Sequence, residues 1–288
     1  MTHPYANAAA FRQALDARIR TLAAERGAPI QGLQLKVAIE RLLARLFHGE
    51  GRRWLLKGGY AMELRFRPRA RATRDVDLAM RGGAPTDAGR AHIDDAHRAL
   101  LEAAQVDLGD HFDFSVSPGR GNIAGAPGGG ASFAVTATVA GRVFARFGLD
   151  VGFGDAEFGA PEQLEGEDFL GFAGFANARA LAIPRAQQFA EKIHAYTHPW
   201  DDRINTRSRD LVDMVLLIER GGLDPEEVRR ALAATFGRRG GRPVPGELMP
   251  PPETWSAEFT AMAAQAGLSH ADLAAAFQTL QRFWRACI

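Results

Sequence analysis

The chain is poor in cysteine, in net charge and in long apolar runs, and each lack removes a class of protein. Its single cysteine, Cys287, has no partner for an internal disulfide. No uncharged apolar run is long enough to span a bilayer, and Met1 to Arg20 lacks the apolar core of a signal peptide. The expectation is a globular, cytoplasmic protein with no membrane partner. Net charge is +1 over 288 residues, so nucleic-acid binding cannot be argued from bulk charge and needs a local basic surface. No internal repeat stands out. What is present suits an enzyme: a hydrophobic fraction of 46% supplies a core for one large or two modest domains, and a monomer is adequate at this size.

Trp54, Leu55 and Leu56 read as a short buried strand running into Lys57-Gly58-Gly59-Tyr60, with Ala61, Met62 and Leu64 placed for a helix just behind. A glycine pair there lets backbone amides approach a phosphate. Next comes Thr73-Arg74-Asp75-Val76-Asp77-Leu78. Side chains on a strand alternate faces, so Asp75 and Asp77 point the same way while Val76 and Leu78 enter a core. Two carboxylates so placed can hold Mg²⁺ beside the glycine turn. An isolated Asp-x-Asp pair is common on solvated loops; its weight here comes from the flanking apolar residues, the upstream glycines and polar residues farther on.

In Arg142 to Val151, the residues Val143, Ala145, Phe147, Leu149 and Val151 predict one apolar strand face, leaving Arg146 and Asp150 on the other. Asp150 is then either a third carboxylate beside the first two, able to bind metal or help deprotonate an attacking hydroxyl, or half of an exposed pair with Arg146. Ile183 to Tyr196 predicts a helix with Pro184 in its first turn and Phe189, Ile193 and Tyr196 inward. Lys192 beside that stripe either reaches over the sheet to a triphosphate or lies solvated. His194 and His198 are four apart, without the Cys or acidic residues that would support zinc. A further helix, Arg207 to Ile218, is so apolar after Asp210 that most of it must be buried. Asp210 and Asp213 share a face; Arg207, Arg209 or Lys192 neutralises them, or they orient one of these toward a phosphate.

Arg65, Arg67, Arg69, Arg71 and Arg74 crowd between the glycine turn and the aspartates, a candidate grip on an RNA backbone or a triphosphate. Arg238, Arg239 and Arg242, set among glycines, read as a flexible basic loop. Thr73, two residues before Asp75, is either an ordinary strand-edge threonine or a position where a phosphate would oppose triphosphate binding. Helical patterns cover Ala8 to Ala24, Gln34 to Phe47 and Asp87 to Ala104, and strand patterns cover His111 to Ser117, Ser132 to Ala140 and Arg142 to Val151. Pro118 to Gly130 is too glycine-rich for a regular element and lacks the ending of a phosphate loop. From Leu181 the pattern is helical, broken at Gly237 to Glu253, with helices again at Thr254 to Ala266 and Ser269 to Ala286.

Lys-Gly-Gly, Asp-x-Asp, the Glu-Lys-Ile-His-Ala helix and the Arg-x-x-Asp-Leu-Val-Asp helix, in this order, resemble the AbiEii-type nucleotidyltransferase toxins and their mycobacterial MenT-type relatives. The resemblance implies an α/β fold with a DNA polymerase β-like nucleotidyltransferase core and a helical C-terminal domain. Divided accordingly, residues 1–180 form the core with its N-terminal helices, and 181–288 a helical domain contributing Lys192 and Asp210 to the site. It also implies the toxin of a bacterial toxin–antitoxin or phage-defence pair, using Mg²⁺ and an NTP, with a cognate antitoxin and an acceptor such as the tRNA 3′ end. By motif, Asp75, Asp77 and Asp150 fall at the metal, and Gly58, Gly59 and Tyr60 at the phosphate turn. Arg74 and Arg207 lie beside the nucleotide, Lys192 at the triphosphate, and Asp210 at a polar position supporting catalysis. Tyr60 departs from the Ser or Thr that relatives carry after Gly-Gly. Transfer to a protein or small molecule, or nucleotide binding without transfer, are the alternative readings.

Overall fold

The computed structural model describes residues 5, 7–49, 53–68, 73–82, 89–121, 127–155, 157–199 and 205–288. Two helices, α1 (Ala8–Arg26) and α2 (Ile30–Leu46), precede the sheet. The Asn7 side chain accepts from the Ala10 N–H at the start of α1, and Gly27 stops it in the left-handed region at φ 59. The strands are β1 (Trp54–Lys57), β2 (Asp75–Met80), β3 (Phe112–Val116), β4 (Arg120–Gly121), β5 (Gly130–Val139), β6 (Arg142–Gly152), β7 (Glu162–Glu165) and β8 (Arg179–Ala182). Between them lie α3 (Gly58–Phe66) and α4 (Arg90–Ala104); after them come α5 (Arg185–Tyr196), α6 (Ser208–Arg220), α7 (Pro225–Arg238), α8 (Ser256–Ala266) and α9 (Leu273–Cys287).

The strands form one mixed sheet in the order β3-β5-β6-β2-β1-β8-β7, with β4 beside β5. Val76 and Leu78 of β2, Leu149 of β6 and Phe133 of β5 send one face of it into a core shared with Leu15 of α1, Ile39 of α2 and Leu100 of α4. A second core lies within the helical half, where Phe189, Leu216, Phe259 and Trp284 are fully buried beside Met62, which α3 contributes. This is the α/β core with a helical C-terminal half that the motif order implies.

Three local expectations give way. β8 stands where a helical pattern was expected to begin at Leu181, and with β7, from a stretch for which no element was expected, it extends the sheet past β1. A register shift between β5 and β6 at Ala137/Thr138 inserts an extra residue into β6, so Val143 turns to solvent at 42% exposure and Phe144 takes the buried place. Within the glycine-rich segment, Arg120 and Gly121 pair with Ser132 and Ala131. The expected helix start near Asp87 lies outside the described residues.

Candidate active site

The strand registers assemble the site. β2 and β6 run parallel with Asp77 opposite Asp150 and Asp75 opposite Gly148. On the other side of β2, antiparallel β1 sets Lys57 opposite Asp77. Directly opposite residues share a sheet face, so Lys57, Asp77 and Asp150 form a row across three strands, each about 4.8 Å from the next. Asp75 stands two residues farther along that face.

Two glycines make room for the aspartates. At Gly58, φ is 64 and a Cβ would fall 1.9 Å from Asp77 Oδ2; at Gly148 it would fall 2.9 Å from Asp75 Oδ1. Each carboxylate therefore occupies space that a missing side chain leaves. Gln188 on α5 fixes the turn by donating to the Gly58 carbonyl at 2.7 Å. Burial, opposed by Lys57 and Lys192 and reinforced by Asp150 and Asp75, pushes Asp77 up to about pH 6.

A cation would relieve that crowding, and an all-oxygen donor set suits a hard divalent one. Among the described residues no compact group of three or more acidic, His or Cys side chains encloses an ion by itself. A metal that keeps waters and takes substrate phosphates as ligands needs only one or two carboxylates, so Asp75, Asp77 and Asp150 fit it.

Lys192 on α5 donates to Asp210 Oδ1 at 3.0 Å and Asp213 Oδ2 at 2.7 Å, and Arg207 Nη1 reaches Asp210 Oδ2 at 3.4 Å. Of the three cations considered for these aspartates, Lys192 and Arg207 are the ones used, while Arg209 is exposed.

Several expected residues lie elsewhere. The Tyr60 side chain, at 1% exposure, is part of the main core; burial first, then Glu40 and Glu63, hold its hydroxyl protonated far above the usual range. Only its backbone is left for the phosphate turn. Arg65 is tied to Glu162 at 3.0 Å, to the Gln188 side chain and to the Ile183 carbonyl, and Arg67 donates to the Glu165 carbonyl at 2.7 Å. Both are engaged in bonds within the fold, the Arg65 side chain buried and that of Arg67 half-buried. Arg69 and Arg71 lie outside the described residues, and Arg74 is exposed. Thr73 donates its N–H to Glu63 Oε2 at 3.2 Å.

Arg238, Arg239 and Arg242 are anchored, contrary to the expectation of a flexible loop. Arg238 donates to the Gly154 carbonyl at 2.8 Å and Arg242 to the Thr197 carbonyl at 3.0 Å. Arg239 bridges Asp155 at 2.6 Å and Glu191 at 3.1 Å, and Lys57 meets the same two carboxylates. Burial alone would lower Lys57, but Asp155 and Glu191 outweigh it and keep the amine charged. Lys57, Asp155, Glu191 and Arg239 were not singled out from sequence as site residues. The one available signal was Lys57, an ionisable group closing an apolar strand directly before the glycines.

The model of the family described as "Nucleotidyl transferase AbiEii toxin, Type IV TA system" matches residues 41–284. No curated protein matches. Among solved structures, MenT4, a nucleotidyltransferase toxin from Mycobacterium tuberculosis H37Rv, superposes with a TM-score of 0.62 at 20% identity, covering 94% of this chain and 89% of that one. An antigenic nucleotidyltransferase-like protein from Paracoccidioides brasiliensis aligns at 0.37 and 18% identity over 72% of this chain and 88% of that one, too loosely to define a fold.

Proposed function

The chain belongs to the AbiEii family of nucleotidyl transferase toxins of type IV toxin–antitoxin systems, and from that premise we propose that it transfers a nucleoside monophosphate from an NTP to an RNA acceptor such as the tRNA 3′ end. The observation that carries the site assignment is the placement of Asp77 opposite Asp150 on parallel strands, with the Gly58 backbone packed against Asp77. A cognate antitoxin restrains the toxin, and phage defence is the proposed setting.

The acceptor hydroxyl attacks the α-phosphate in line, its oxygen–phosphorus bond forming as the bond to pyrophosphate breaks. Asp75, Asp77 and Asp150 would hold Mg²⁺, which when bound neutralises charge on the reacting phosphates. The backbone amides of Gly58, Gly59 and Tyr60 face the triphosphate, a role that asks nothing of the Tyr60 ring. Lys192, held by Asp210 and Asp213, and the exposed Arg74 and Arg207 balance the negative charge of the nucleotide. Asp150 takes the proton of the attacking hydroxyl. In this reading residues 1–180 supply the metal and glycine turn, and residues 181–288 supply Lys192 and Asp210.

The test is incubation with Mg²⁺, total bacterial tRNA and each α-labelled NTP in turn, beside Asp75→Ala/Asp77→Ala, on a denaturing gel. Label on tRNA that vanishes in the variant is the expected result. Absence of tRNA label from folded protein would overturn the RNA reading.

A further inference from the structure

The face of the sheet that carries the aspartates continues past them toward β3. Helices α1, α2 and α4 pack on the sheet's opposite face. On the aspartate side the alternate residues of β5, Ser132, Ala134, Thr136 and Thr138, are exposed or half-buried, as is Ser115 of β3. The registers align these into cross-strand rows. One runs Asp77, Asp150, Ser132, Arg120; the next runs Asp75, Gly148, Ala134; the third runs Arg146, Thr136, Ser115.

Arg120 and Arg146 are both exposed and have no carboxylate partner among the described residues. Ser132 stands one strand spacing from Asp150 and Arg120 two, about 10 Å; Arg146 stands four residues along β6, about 13 Å away. Asp113, opposite Thr138, ends the face with the opposite charge.

We propose that this face is the track by which the 3′ end of a single-stranded RNA reaches Asp150, an inference that rests on the transfer reading above. A floor of glycine, alanine, serine and threonine has low relief and offers hydroxyl groups along its length. Two guanidiniums on either side of the approach to Asp150 match an anion repeated along a chain, and guanidinium is well suited to phosphate oxygens. The track is continuous with the carboxylate assigned to receive the acceptor's proton, so a strand lying on it delivers its terminal hydroxyl where the reaction needs it. Arg120 and Arg146 are positioning residues in this account, holding the last few phosphates.

The experiment uses the full chain, a fluorescent short single-stranded RNA with a free 3′ hydroxyl, and a non-hydrolysable NTP analogue as a separate probe. Arg120→Glu/Arg146→Glu is expected to weaken RNA binding about tenfold or more and to lower the slope of log K against log salt by roughly 1.4, two single-strand contacts, with analogue affinity unchanged. Arg230→Glu, an exposed reversal on α7, controls for net charge and should leave both affinities as they were. The acceptor KM in the transfer assay should rise with kcat retained at saturating RNA. Unchanged RNA binding in the double variant, or a native protein that binds the analogue but no RNA, overturns the track. RNA binding that depends on both arginines without any Asp75-dependent transfer would instead sustain the track and overturn the transfer reading.

Discussion

At position 58 a single methyl group decides whether Asp77 has room. Alanine there meets Asp77 Oδ2 at 1.9 Å and sits at φ 64, whereas alanine at Gly27, φ 59, meets nothing within 4 Å. Both pay roughly 1–2 kcal/mol for left-handed backbone, but only the first displaces a carboxylate. Gly58→Ala is therefore expected to lose transfer activity by about a hundredfold while Gly27→Ala keeps it, because small displacements at a reacting centre have effects of that size. Equal activity in the two variants would refute the packing argument. Glu40 gives a prediction in pH. It is 4% exposed, its two oxygens accept the Glu167 N–H at 2.9 and 2.8 Å, and Arg67 lies 4.0 Å off. Burial, the largest influence, outweighs the backbone bond and Arg67 and pushes its pKa from 4.5 up to about 7. Between those values the folded state keeps a proton that the unfolded chain has released, so this contribution to stability is complete below the lower value and lost as pH rises through the upper one. Glu40→Gln should flatten that part of the dependence of urea midpoint on pH and gain on the parent at about pH 8. Parallel curves would mean that Glu40 is ionised throughout.

Helix α7 is joined to the sheet by charge. Arg239, just past its end, bridges Asp155 and Glu191, the carboxylates that also hold Lys57 of β1. Removing one member of a buried cluster leaves opposite charge uncompensated, so Arg239→Met should destabilise by about 3–5 kcal/mol. Glu191→Gln added to it should recover part of that loss in a double-mutant cycle from urea unfolding, and simple additivity would show that the two do not communicate. Sequence could not reveal this tie, because Arg239 and Lys57 lie 84 and 98 residues from Asp155. What was legible came from local pattern: β1 is a short apolar run ending in glycines, β2 alternates, and α5 and α6 each carry an apolar stripe strong enough to be read alone. β7 was not, since Glu162-Gln163-Leu164-Glu165 has one apolar residue, and β8 was not, since Arg179-Ala180-Leu181-Ala182 favours helix as readily as strand. Those strands exist because β1 has an open edge to pair with. The bulge that exposes Val143 is likewise a property of the β5–β6 pair and of neither strand alone. The aspartates were legible as residues; that β6 is the parallel neighbour of β2, which sets Asp150 opposite Asp77, is a fact of topology.

Across the whole molecule the two apolar cores are joined through α3, whose Tyr60 and Leu64 belong to one and Met62 to the other, and the proposed division between residues 180 and 181 falls inside β8, whose residues Arg179 and Ala182 lie on either side of it. Met62 of α3 is buried among the C-terminal helices, Arg65 of α3 bonds the Gln188 side chain and the Ile183 carbonyl, and Lys57 shares its carboxylates with Arg239. Neither half closes its own surface without the other, so unfolding should be a single cooperative event. The tryptophans can report this separately: Trp54 is buried in the sheet core, Trp255 and Trp284 in the helical one, and Trp200, outside the described residues, is replaced by Phe in every variant. With Trp54→Phe in one background and Trp255→Phe/Trp284→Phe in the other, the two fluorescence midpoints in urea should coincide with each other and with far-UV circular dichroism. Transfer activity should disappear at the same urea concentration, because Asp75, Asp77 and Asp150 come from one half and Lys192 and Asp210 from the other. A fragment ending at residue 180, lacking half of β8 and the partners of Arg65 and Lys57 on α5, should then fail to fold. A helical-core signal lost at lower urea than the Trp54 signal, with activity following the helical core, would show instead that the halves are stable units and that the site is made and unmade by their docking.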